Sequence, residues 1–270
     1  MHRMPSAVSI GQTELETGPH YSMKKLAIYN LKGGVGKTAA AVNLGFLAAE
    51  YGHRVLLWDL DPQGAATWYL GVEPGLSDPM KGIVKGKRDV TDSVRATTYE
   101  RLSVLPADFD TRNLDLMLRK AAHPRKRLRE LLDELDSGFD LLILDCPPSF
   151  SLVTENVFHA ADMIASPMIP TPLSMRTYEQ MVGFLARERI RDVKLHPFLS
   201  MVDLRRGLHR ELSENLGDEM KTLLKTRIPY MSSIEGMGRR RAPLCAYAPR
   251  DPGARAFEQL WLEVSAKLNS

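Results

Sequence analysis

The stretch Asn30-Leu31-Lys32-Gly33-Gly34-Val35-Gly36-Lys37-Thr38 decides the fold. It follows the apolar run Leu26–Tyr29 and opens at once into Ala39–Glu50, where Val42, Leu44, Phe46 and Leu47 lie among alanines. A strand, a tight bend and a helix are therefore predicted in succession. Gly33, Gly34 and Gly36 let the backbone turn sharply and bring its N–H groups close to an anion. The positive end of the helix dipole faces the same point. Lys37 adds a full charge for phosphate oxygens, and the Thr38 hydroxyl is a ligand for Mg²⁺. The strict GxxxxGK[ST] pattern fails at Leu31, but KGGxGKT still fixes six positions. Its chance occurrence in a chain this long is on the order of 1 in 10⁴.

Two carboxylate motifs lie further along. Val55-Leu56-Leu57-Trp58 runs into Asp59-Leu60-Asp61-Pro62-Gln63-Gly64, and Leu141-Leu142-Ile143-Leu144 runs into Asp145-Cys146-Pro147-Pro148. In an open parallel sheet, acids at strand ends share the rim on which ligands bind. Asp61 is read as the residue that orients an attacking water and as a metal partner. Asp145 holds Mg²⁺ through water, and Asp59 supports the metal or shapes its own loop. Cys146 is read as a small buried hydrophobe.

Outward from these motifs, apolar runs alternate with helical spacing. Strands are expected at Leu26–Tyr29, Arg54–Trp58, Leu102–Leu105, Leu141–Leu144, Met163–Ala165 and Phe198–Val202. Helices are expected at Ala39–Glu50, Arg125–Leu135, Leu173–Arg187, Gly207–Leu216 and Ala254–Leu268, the last with Phe257, Leu260, Trp261, Val264 and Leu268 on one core stripe. The alternation predicts a single-domain α/β fold over 23–270, a mostly parallel twisted sheet flanked by helices on both faces. Residues 1–22, polar and without periodicity, are expected to form a flexible N-terminal tail.

Composition narrows the class. The chain has 270 residues, 44% hydrophobic and 26% charged, which suits a soluble globular protein. Two cysteines cannot form a disulfide framework or a four-thiolate metal site. No apolar run approaches the ~20 residues of a membrane span, and no signal peptide is apparent, so a cytoplasmic location is expected. The net charge of +3 is unevenly spread: Arg176 to Ser270 holds 17 Lys+Arg against 12 Asp+Glu. Arginines cluster at Arg187/Arg189/Arg191, Arg205-Arg206 and Arg239-Arg240-Arg241. Such clusters are either a solvated basic face or a footprint for phosphate backbone.

KGGVGKT resembles the deviant Walker A motif of the ParA/MinD superfamily of P-loop ATPases. With DLDPQGAAT and DLLILDCPP it is similar to the ParA (Soj-type) branch, over nearly the whole chain from Met23. The resemblance implies that Lys32 reaches across a nucleotide-sandwich homodimer to the partner's ATP. It also implies non-specific binding of double-stranded DNA by the ATP dimer, nucleoid association, and slow hydrolysis stimulated by a cargo-bound, ParB-like partner. The cargo would be a chromosome, a plasmid or a protein complex. Ala39 replaces a second threonine common in the family, and Ala65 an asparagine. By the same resemblance Met201 and Pro229 contact adenine and Arg205 contacts DNA, with Arg239, Arg240 and Arg241 as further DNA candidates. The alternative is a nucleotide switch acting on a protein partner without DNA. A MinD-like membrane tail is not expected, because the C-terminal helix carries Glu258 and Glu263 beside Arg255 and Lys267.

Overall fold

The computed structural model describes residues 22–135 and 138–270, so the tail predicted over 1–22 lies outside the described residues except for Ser22. Eight strands follow in chain order: β1 (Lys24–Ile28), β2 (Val55–Asp59), β3 (Arg95–Ala96), β4 (Leu102–Leu105), β5 (Leu141–Asp145), β6 (Met163–Met168), β7 (Lys194–Val202) and β8 (Arg227–Pro229). They form one sheet in the order β3-β4-β2-β5-β1-β6-β7-β8. Every neighbouring pair is parallel except the short edge pair β3–β4.

The sequence dictates this sheet through its continuous apolar runs. All five residues of β2 and of β5 are buried, the pattern of a strand covered on both faces. Alternation then sorts side chains between two cores. Leu26, Ile28 and Leu57 face the core built on α1 (Lys37–Glu50) and the C-terminal helix Pro252–Leu268. Ala27, Tyr29, Leu56 and Trp58 face the opposite core, with the helices Arg127–Asp133, Leu152–Ala160 and Pro172–Arg187. The predicted stripe Phe257, Leu260, Trp261, Val264 and Leu268 is buried as core. No helix among the described residues is long and apolar enough to cross a membrane.

Several boundaries differ from expectation, and prolines explain the clearest case. The strand predicted to end at Ala165 continues through Pro167 to Met168, fully buried, and β7 passes through Pro197. Ser166 pairs with Pro197 and Pro167 with Phe198, so the two prolines sit in adjoining rungs of neighbouring strands. Central proline argues against strand on propensity alone. Here the Pro167 carbonyl is used instead, accepting from Asn30 Nδ2 at 2.9 Å, while the Pro197 carbonyl accepts from Leu224 N at 2.8 Å. The helix Leu152–Ala160 was not anticipated; Ser151 caps it, its side chain accepting from Thr154 N.

Register fixes where chemistry can occur. Asp145 pairs with Ile28 on one side and with Asp59 on the other. The phosphate loop leaves β1 beside Asp145, at the carboxyl ends of adjacent strands, which is where open parallel sheets place ligands.

Candidate functional site

The loop between β1 and α1 is shaped by two glycines with positive φ: Gly34 at 71° and Gly36 at 91°, Gly36 also capping α1. A Cβ at Gly36 would stand 2.9 Å from Ser200 Oγ, whereas one at Gly33 or Gly34 would meet nothing within 4 Å. The loop is thus pressed against β7 on one side and open on the other. Asn30 Oδ1 accepts from the Lys32 backbone N–H at 2.8 Å and fixes the entry to the bend.

Lys37 is buried, and its Nζ donates to the Lys32 carbonyl at 3.2 Å. Burial lowers its pKa, and the charge of Asp145, with lesser help from Asp61, opposes that shift. Asp145 is wholly buried, and neither carboxylate oxygen has a hydrogen-bond partner within good geometry. Burial, and next the charge of Asp59, hold its pKa well above the usual carboxylate range; the nearby Thr38 hydroxyl and Lys37 pull the other way.

Asp59 is differently placed. Its Oδ2 accepts from the Thr67 backbone N–H at 2.8 Å and from Thr67 Oγ at 2.7 Å, and its Oδ1 from Asp61 N at 3.3 Å. Burial pushes its pKa up to about 6 despite these donors. Of the two roles open in the sequence, the structure supports the shaping one: Asp59 ties β2 to α2 (Ala65–Tyr69). Asp61, between them, accepts from Gln63 N at 3.0 Å and faces the cavity.

That cavity, about 320 Å³, is lined by Gly33, Gly34, Gly36, Lys37, Thr38 and Ala39 on one side, and by Asp61, Ala65 and Tyr69 on another. Met201 and Pro229, from β7 and β8, also line it. Met201 has φ 54°, which turns the chain at the end of β7. Val35 packs into the core and Lys32 does not line the cavity. Sequence reasoning missed Tyr69, Ser200, Tyr230 and Glu235. Ser200 was accessible from its place near a strand end; the others sit on loops or a short helix with no pattern to mark them.

The residues fit both groups the sequence implies. Two buried carboxylate oxygens without donors complement a divalent cation or water held by one. A glycine floor with a buried lysine, opening onto free volume, complements phosphate. Among the described residues no cluster of three or more His, Cys, Asp or Glu forms a metal site, so any metal here would share its coordination with phosphate and water. Cys146, beside Asp145, is buried and its thiol is pushed well up by burial, which leaves it inert as expected.

The arginines named above do not act as a unit. Arg205, on the loop after β7, is 84% exposed, but its guanidinium is forked onto Asp203 at 2.8 and 3.0 Å. Arg240 lies over the Tyr247 ring at 4.8 Å. Arg241 lies over the Trp68 ring at 3.8 Å and pairs with Glu73 at 3.3 Å.

Comparison with known proteins agrees with this geometry. A family model described as an AAA domain matches residues 23–196. The chain is 33% identical over 249 residues to the sporulation initiation inhibitor protein Soj of Bacillus subtilis, covering 90% of this chain and 98% of that one. It is 31% identical over 260 residues to the chromosome partitioning protein ParA of Caulobacter vibrioides, covering 91% and 95%. A cobyrinic acid a,c-diamide synthase from Mycobacterium smegmatis, solved with ADP and magnesium, superposes with a TM-score of 0.78 at 28% identity, covering 92% and 96%.

Proposed function

Because the chain belongs to the ParA/MinD family of P-loop ATPases, we propose that it is an ATP-driven dimerising switch that binds DNA non-specifically and partitions or positions a cargo. Lys37 and the glycine amides hold the phosphates of ATP. Mg²⁺, when bound, neutralises charge on the phosphate oxygens; the Thr38 hydroxyl and Asp145, the latter through water, hold it there. Asp61, on the opposite wall, orients the attacking water. Met201 and Pro229 contact adenine. Lys32 acts on the nucleotide of a second copy. Hydrolysis is slow alone and stimulated by a cargo-bound, ParB-like partner, and the ATP-bound dimer associates with the nucleoid.

The observation that carries this reading is the division of labour between the two lysines. Lys37 is buried at its own cavity, whereas Lys32 does not line that cavity at all. A second lysine so close to a phosphate site yet outside it is available to another molecule's phosphates, where a cation both joins the copies and stabilises developing charge. Light scattering tests this. Mg·ATP should convert the parent chain from monomer to dimer, and Lys32→Ala should stay monomeric while still binding ATP. A Lys32→Ala chain that dimerises normally would remove the proposal.

Arg205, Arg239 and Arg240 are the proposed DNA contacts. With about six phosphate contacts per dimer, log affinity should fall with log salt at a slope near −5. One observation favours the alternative of a protein-directed switch without DNA: Arg205 is already engaged by Asp203. A solvent-screened pair of this kind holds only weakly, so a phosphate can displace it. Gel shifts with and without ATP separate the readings, because retardation must require ATP if dimerisation creates the DNA surface.

A further inference from the structure

The contacts of Trp68 have no place in the scheme above. Trp68 sits on α2 and is 45% exposed, yet three interactions hold it. Its indole Nε1 donates to the Gly238 carbonyl at 3.1 Å. The Arg241 guanidinium covers its ring, 3.8 Å from the centroid. Arg241 Nε also donates to the Trp68 carbonyl at 3.4 Å, close to the limit of a hydrogen bond. The same guanidinium reaches on to Glu73, beyond the end of α2, at 3.3 Å. Arg241 holds φ 50°, a conformation that residues with a β-carbon seldom adopt. Beside it, Gly238 packs so near Tyr69 that an added Cβ would stand 3.4 Å from that ring.

The middle of α2, one residue before Trp68, is fixed to the sheet just as firmly. Thr67 donates twice to Asp59, and its Oγ accepts from Ala107 N at 2.9 Å. On either side of these two anchored residues, Ala65 and Tyr69 line the nucleotide cavity, and Asp61 stands on the loop that leads into α2. A five-residue helix is too short to be stable alone, so its placement depends on the tertiary contacts that grip it. Asp59 holds it to the sheet through Thr67. Arg241 holds it from outside through Trp68 and, past its end, Glu73.

We propose that Arg241 is a positioning residue for hydrolysis, clamping α2 through Trp68 and Glu73 so that Asp61 and Tyr69 keep their places on the cavity wall. The inference rests on reading the cavity as the nucleotide site. It also withdraws Arg241 from the DNA contacts, since its guanidinium is committed to an aromatic face, a carboxylate and a carbonyl within the chain. A displaced clamp would leave the phosphate loop intact while loosening the group that orients water, and misplacement of that kind acts on turnover rather than on binding.

The test uses the full chain, with Arg241→Met, which keeps the stem but removes the fork, and Arg241→Lys, which keeps the charge. Arg241→Met should lower kcat about tenfold and leave KM for ATP within about twofold. Arg241→Lys should recover part of that loss, because charge over the ring is retained. Trp68 supplies a second readout, since Trp58 and Trp261 are buried on the two faces of the sheet. Mg·ATP should change the emission of the parent, Trp68→Phe should abolish the change, and Arg241→Met should diminish it. The salt slope of DNA binding should be the same for parent and Arg241→Met. Unaltered kcat with an unaltered emission response in Arg241→Met overturns the proposal. So does a salt slope reduced by about one with turnover intact, the mark of a lost phosphate contact. If Arg241→Met fails to fold, Glu73→Gln loosens the same guanidinium from its outer side and must reproduce the kcat loss. Calorimetry on the parent separates the two levels: no binding of Mg·ATP removes the nucleotide site itself, while binding with no effect of Arg241 removes only the clamp.

Discussion

Replacing Asp145 with asparagine should make the nucleotide-free protein more stable and the nucleotide-bound protein less so. The side chain is fully buried, both oxygens lack hydrogen-bond donors, and burial and Asp59 hold its pKa well above the ordinary range. A raised carboxyl pKa means that the folded state gains from protonation and loses as pH rises through the shifted value. Asparagine has nearly the same shape and no charge to lose. An unsatisfied buried polar group costs about 1–3 kcal/mol, more if charged, and a neutral amide in the same place retains part of that cost. A net gain of about 2 kcal/mol is reasonable, which raises Tm by about 4–8 °C in a chain of this size. The gain should grow as pH rises and shrink toward zero in acid, where Asp145 is protonated in the parent. Mg·ATP at a hundred times its Kd should stabilise the parent by about 2.7 kcal/mol and the variant far less, so the order of the two Tm values reverses. Thermal melts at several pH values, with and without Mg·ATP, give the whole comparison. An Asp145→Asn protein that melts below the parent without nucleotide, or whose advantage grows in acid, refutes the reasoning.

Gly36→Ala should fold but lose ATP binding by calorimetry: the left-handed conformation alone costs a β-carbon residue about 1–2 kcal/mol, and the new methyl meets Ser200 Oγ at 2.9 Å. Adding Ser200→Ala relieves the contact but not the strain, so stability should return only in part. Thr67→Val should lower Tm by about 2–12 °C, since it strips one donor from Asp59 and leaves the buried Ala107 N–H unpaired, at about 1–3 kcal/mol for such a group. Its ATP affinity should fall less than its kcat, because the phosphate loop is untouched while the Asp61 loop slackens.

What could be read in the sequence, and what could not, follows from the range of the forces involved. Strands β2 and β5 are legible because burial on both faces demands an unbroken apolar run, which four consecutive residues suffice to display, and the three buried apolar residues in each of β1 and β4 show it in shorter form. The phosphate loop is legible because left-handed backbone at Gly34 and Gly36 restricts those positions by sterics alone. Asp59 and Asp145 are legible as acids at strand ends, but their roles are not. Both end an apolar strand; Asp59 is saturated by donors from α2 and Asp145 receives none, and only the fold separates them. Propensity misleads at Pro167 and Pro197, where a missing ladder donor is tolerated because the carbonyls find partners more than twenty residues away in sequence.

The arginine run shows the limit most sharply. Arg239, Arg240 and Arg241 are identical in sequence terms and adjacent, so charge alone assigns them one role. The backbone gives them different ones. Arg239 and Arg240 end a short helical turn; Arg241 leaves it with positive φ, and that reversal swings one guanidinium onto Trp68, some 170 residues earlier, while Arg240 turns to Tyr247. A charge count measures how strongly a surface attracts an anion, whereas the path of the backbone decides which charges remain free to meet one. Since the tertiary partner of Arg241 lies on the helix that follows Asp61, the same charge that a count adds to a DNA footprint is, under the proposed clamp, set to act on turnover instead.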